Sequence, residues 1–183
     1  GRNGVMFVGG FQHPPNVDAV EFYAEHIWPL FQERCPNVPT YIIGSKMPDR
    51  LRELGERHGL VMLGFVEDLS PYYDECALSI APLRYGAGGK GKVNQALSFG
   101  LPVVGTPIAL EGMGLINREH VLMASEPEAF ASAMVEAHSD EALWRKLSRN
   151  GRASLEGRFT PDVAQNALQS ALESVMGRKG RFS

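Results

Sequence analysis

Cysteine is scarce in this 183-residue chain: Cys35 and Cys76 are the only two. Two thiols so far apart form neither a metal-ligand spacing nor a disulfide framework, which suits a reducing, cytoplasmic setting. No apolar run approaches the roughly 20 residues needed to cross a bilayer, and no secretory leader is visible. An excess of positive charge is missing too. The formal net charge is −3, which argues against a nucleic-acid partner drawn by overall basicity. His26, His58, His120 and His138 show no ligand spacing and His13 is an ordinary loop histidine beside Pro14-Pro15, within reach of a cleft, so no metal site is expected. The chain also lacks an initiator methionine; Gly1-Arg2-Asn3-Gly4 runs directly into apolar sequence, as expected of a piece of a longer protein.

What is present is ordinary for a globular domain: 44% hydrophobic and 21% charged residues, enough for one real core and short for two. A single domain over residues 1–183 is expected. Val5-Met6-Phe7-Val8-Gly9 is a short apolar run closed by glycine, the pattern of a strand buried on both faces. Pro14-Pro15-Asn16 follows, with Asn16 as an N-cap and Asp18 in the first turn, and helical spacing continues to about Arg34. Strands are expected at 41–44, 61–64, 78–81, 102–105 and 121–123. Helices are expected at about 48–58, 69–75, 91–99, 127–138, 140–155 and 161–176. Such alternation with short connections predicts a doubly wound, Rossmann-like parallel sheet of six strands followed by C-terminal helices. From Arg145 to Ser183 eight basic residues face three acidic ones, a solvated helical face or a contact with an anionic surface.

The chemistry gathers at Pro82 to Leu97. This stretch leaves the fourth strand, passes Gly86, Gly88, Gly89 and Gly91, and enters a helix. Glycines let amide N–H groups approach a ligand, and a helix N-terminus favours anions. Lys90 and Lys92 sit where cations oppose the helix dipole by about 0.3–1 kcal/mol each, an opposition that a bound anion removes. A diphosphate cradle is the expectation; a flexible loop with solvated lysines is the plain alternative. Gly86 to Gly91 also spells G-x-G-x-x-G, but after the fourth strand and with no acid ending the next one, so a dinucleotide fold is not expected.

In order and spacing the residues resemble the C-terminal, nucleotide-sugar-binding domain of group 1 retaining glycosyltransferases, one half of the two-domain GT-B architecture. The likeness runs through Phe7-Val8-Gly9-Gly10, Ile42-Ile43-Gly44, Leu63 to Asp68, Ala81-Pro82-Leu83, and Phe99 to Thr106. It implies a nucleoside-diphosphate sugar as donor substrate with no further cofactor. The acceptor, a glycan or a lipid-linked molecule, would be held by an N-terminal domain of the same protein. It further implies that Gly9, Gly10, Gly88 and Gly89 face the diphosphate and sugar. The loops at Lys46 and at Phe65-Val66 would face the base, and Gln95 the ribose. Arg84, Lys92 and the Gly88-Gly89 backbone are the candidates for stabilising the departing diphosphate, with Lys90 beside them. Ala87 and Gln95 stand where the family often has two glutamates eight positions apart. The basic pair that many members place after the first strand is not evident. Two other readings stay open: a GT-B nucleotide-sugar epimerase, and a non-catalytic nucleotide-binding module. A cytoplasmic protein, with scope for peripheral attachment to the inner membrane, is expected.

Overall fold

A computed structural model describes residues 2–86 and 90–156. Six parallel strands form one sheet: β1 (Val5–Val8), β2 (Thr40–Ile43), β3 (Val61–Gly64), β4 (Leu78–Ala81), β5 (Val103–Gly105) and β6 (Leu122–Met123), in the order β3-β2-β1-β4-β5-β6. The chain winds outward from β1 to β3, returns past β1, and winds the other way from β4, so the switch point lies between β1 and β4. Those two strands are paired only at Val5–Leu78 and Met6–Ser79, whereas β1 pairs with β2 along its whole length. The sheet is therefore parted at the carboxyl end of its central seam, where ligands bind in open α/β sheets. The expected fold class and strand positions agree with this sheet to within a residue or two. The helix expected at 161–176 lies outside the described residues.

Right-handed crossovers place helices from the two winding directions on opposite faces. On one face are α1 (Pro14–Phe22), α2 (Trp28–Arg34), α3 (Asp49–Arg57) and α7 (Pro127–Ser139). On the other are α4 (Ser70–Glu75), α5 (Lys90–Ser98) and α8 (Glu141–Glu156), with Tyr73 of α4 stacked on Phe99 at 4.5 Å just past α5. The short α6 (Pro107–Leu110), which hydrophobic spacing did not announce, is started by Thr106, whose Oγ1 accepts from Ala109 N at 3.2 Å.

Two expectations about the first helix need correction. It begins at Pro14, with Pro14 and Pro15 in the positions that lack an intrahelical N–H partner anyway, so His13 rather than Asn16 is the N-cap residue. Asn16 is inside the helix and buried. Nor does one helix run on to Arg34. Pro29 cannot donate to the carbonyl of Glu25 and its ring crowds that carbonyl, so the backbone widens into a π turn over Tyr23–Ile27 before α2 resumes. Trp28 N bonds back to Tyr23 O, and both Tyr23 and Trp28 stay in the core, with ring centroids 6.2 Å apart.

The turn after β1 is fitted tightly to the turn after β2. Gly9 N donates to Ile43 O and Phe11 N to Ser45 O, both at 2.9 Å. A Cβ at Gly44 would fall 1.7 Å from Gly9 O, closer than any backbone can accept. Gly44→Ala is expected to lower stability by about 3 kcal/mol in urea denaturation, since two backbones must separate. Gly91→Ala, with open space around it in α5, should instead raise stability by about 0.5 kcal/mol. A loss below about 1 kcal/mol for Gly44→Ala would show that the two turns do not depend on each other.

Candidate functional site

The parted seam brings three elements together: the turn after β1, the start of α1, and the first turn of α5. Lys92 projects from α5 across the carboxyl edge of the sheet. Its Nζ donates to Asn16 Oδ1 at 2.6 Å and lies 4.4 Å from the centre of the Phe7 ring. Asn16 Nδ2 in turn donates to Gly10 O at 2.8 Å. Gly9 leaves room for these two side chains. A Cβ there would sit 2.9 Å from Asn16 Cγ and 3.0 Å from Lys92 Nζ. Gly10 is less constrained, since only the side chain of exposed Gln12 would obstruct a Cβ.

No described carboxylate pairs with Lys92. Burial without a counter-charge lowers its pKa from 10.5 to about 8. The face of Phe7 supplies a modest cation–π attraction and Asn16 one neutral acceptor.

Arg84 behaves differently. Its guanidinium is turned onto α1, where Nε donates to Asp18 Oδ2 at 3.0 Å and a second nitrogen donates to Asp18 Oδ1. It also covers the Phe22 ring at 4.9 Å. The carboxylate holds it firmly protonated and compensates its charge. It lines a cavity of about 480 Å³ with Phe22, His26, Thr106 and Ile108, along the edge from Lys92. Lys90 begins α5, exposed, with its ammonium near Gly112. Gln95 follows Lys92 by one turn and is exposed.

Beyond β2, Lys46 is exposed and holds a left-handed backbone (φ 56°), unusual for a non-glycine residue and common where loops are shaped for a ligand. Beyond β3, Phe65 is 74% exposed and Val66 half-buried. A bare aromatic ring at the same carboxyl edge is a fitting platform for a flat base. Gly88 and Gly89 lie outside the described residues, as does Ala87. The sequence reading missed Asn16, taken for a cap, and Phe7, taken for core alone; the buried asparagine had no signal beyond its position two residues after the proline pair's start.

Among the described residues no group of three His, Cys, Asp or Glu could hold a metal ion, and no helix is long and apolar enough to cross a membrane.

Comparison with known proteins agrees with the fold. The model of the family "Glycosyl transferases group 1" matches residues 2–140. The chain belongs to that family. An uncharacterised 44.6 kDa protein of the cps region of Klebsiella pneumoniae is 24% identical over 163 residues, covering 85% of this chain and 42% of that protein. An uncharacterised glycosyltransferase of Methanosarcina acetivorans is 27% identical over 159 residues, 79% of this chain and 38% of its own length. The chain thus spans less than half of either curated relative. Among solved structures, an S. aureus TarM mutant in complex with Fondaparinux, alpha-GlcNAc-glycerol and UDP superposes with a TM-score of 0.77 at 13% identity, over 92% of this chain and 35% of TarM. Anabaena HepE in complex with UDP and glucose does so with a TM-score of 0.69 at 17% identity, over 94% and 49%. The sheet is the Rossmann-like sheet of GT-B glycosyltransferases.

The depressed pKa of Lys92 has a measurable sign. Between pH 8 and 10.5 the unfolded chain holds a proton on this lysine that the folded chain has lost, so folding there gains from rising pH. The stability of the wild type minus that of Lys92→Met should therefore increase across that interval and be flat below it. Urea titrations at pH 7, 8, 9 and 10 check this; a difference independent of pH would mean the ammonium is fully solvated.

Proposed function

We propose that this domain binds the nucleoside-diphosphate sugar of a retaining glycosyltransferase and, with an N-terminal domain that holds the acceptor, transfers the sugar in the cleft between them. The observation that carries the reading is the Lys92 ammonium at the parted β1/β4 seam, which no carboxylate among the described residues pairs, against the bare Gly9-Gly10 turn. An ammonium that is desolvated and lacks a carboxylate gains most from a doubly charged ligand. The bound UDP in TarM and HepE supports a nucleotide as that ligand.

Catalysis in this reading comes from charge. As the glycosidic bond lengthens, negative charge grows on the diphosphate oxygens, and a fixed ammonium at low dielectric stabilises it without reorganising. The amides of Gly10, Gly88 and Gly89 add donors in this reading, while the Gly9 amide is held by Ile43 O and that residue contributes only its lack of a side chain. Lys90 sits at the same helix start, and Arg84 would add its charge by leaving Asp18. Phe65, Val66 and Lys46 receive the base and Gln95 the ribose diol. Water leaves as the domains close. No metal or separate cofactor takes part. The acceptor is a glycan or a lipid-linked molecule, and the enzyme works in the cytoplasm or at the inner face of the membrane.

Calorimetry of the intact protein with UDP and GDP, alongside uridine and guanosine, tests the reading. Lys92→Met should weaken the diphosphate by about tenfold or more, the worth of one charge-assisted hydrogen bond, and leave the nucleoside unaffected. Gln95→Glu should strengthen both, by restoring a carboxylate acceptor for the ribose. Equal losses of nucleoside and diphosphate in Lys92→Met would remove the lysine from the phosphate site. No binding of either diphosphate would remove the donor-binding role.

A further inference from the structure

Asn16 is 5% exposed, polar, and unassigned by anything in the family resemblance. It joins two groups that cannot join each other. Gly10 O only accepts and Lys92 Nζ only donates, so the residue between them must present a donor to one and an acceptor to the other. A carboxamide does both at once, and the flanking partners fix which way it points. Aspartate would set a charge against the Gly10 carbonyl, serine has too short a reach to meet both, and alanine meets neither.

The bond also spans the molecule. Asn16 stands on α1, on one face of the sheet, and Lys92 on α5, on the other. Their contact closes over the seam where β1 and β4 have parted. The groups facing the ammonium are the Phe7 ring from β1, the Gly9 backbone and the Asn16 amide. Of the charged side chains nearby, Asp18 is taken by Arg84, and Lys90 leans toward Gly112. Nothing with a full negative charge among the described residues competes with a ligand for Lys92.

We infer that Asn16 is a positioning residue: it holds the Lys92 ammonium over the Gly9-Gly10 turn, uncompensated, so that the diphosphate of the donor becomes its counter-ion. The inference rests on the donor-binding reading above and adds to it the residue that sets the lysine's place and leaves its charge free.

A mutant cycle in the intact protein, read by calorimetry with UDP and uridine, separates this from a structural role. Asn16→Ala should weaken UDP about tenfold and leave uridine unchanged, yet cause no further loss when introduced into Lys92→Met. Asn16→Asp should keep the lysine in place but supply an internal counter-ion, again weakening UDP by tenfold or more. Wild-type affinity for UDP should fall as pH rises through about 8, where the free ammonium loses its proton, and Asn16→Asp should move that fall to higher pH. Equal losses for UDP and uridine, or full additivity of Asn16→Ala with Lys92→Met, would overturn the inference. If the wild type bound no diphosphate, the donor-binding reading would fall by itself. The positioning contact would still be tested by the NMR titration of the Lys92 side chain. Asn16→Asp must raise its midpoint, and an unchanged midpoint would show that the two side chains do not meet.

Discussion

An ammonium taken out of water, with no carboxylate beside it among the described residues, is an expensive thing to build into a fold. Here it is tolerated because the surroundings offer partial compensation from two directions: an amide oxygen and an aromatic face. Neither neutralises the charge. The rest of the site follows from keeping it so. Gly9 has no side chain because Asn16 and Lys92 occupy that space, and Gly44 has none because the Gly9 carbonyl occupies the next. The packing around one ammonium thus runs through the turns after β1 and β2.

The contrast with Arg84 is instructive. Both cations leave the same end of the sheet, yet Arg84 finds Asp18 within reach and Lys92 does not. The guanidinium fork matches a carboxylate, is exposed, and needs no further partner. The two residues look equivalent in a sequence and differ in electrostatic state, one compensated by a carboxylate and the other desolvated.

Much of the architecture was legible in the sequence because it rests on local pattern. Short apolar runs, most of them ended by glycine, marked the strands, whereas the cap of the first helix and the short α6 begun by Thr106 were not legible. What could not be read was which partner each polar residue finds. Asn16 has the local character of a cap, and only the distance from α1 to α5, separated by more than seventy residues in sequence, turns it into a bridge. The same holds for Phe7, whose burial was evident and whose use of its ring face was not. Lys92 was singled out correctly as a cation at a helix start, but for the dipole it opposes. The larger effect, desolvation, needed the packing.

The π turn at Tyr23–Ile27 has a consequence for how this helix tolerates change. An extra residue in one turn alters the angular phase of everything beyond it. The upper part of the helix, carrying Asn16 and Asp18, is therefore free to keep its orientation toward the sheet edge. The lower part is rotated to seat Trp28 and Phe31 in the core beside α7. Repacking at the buried end can be absorbed at the widened turn. The residues at the carboxyl edge of the sheet are insulated from it, as a universal joint lets one shaft turn while the other holds its line.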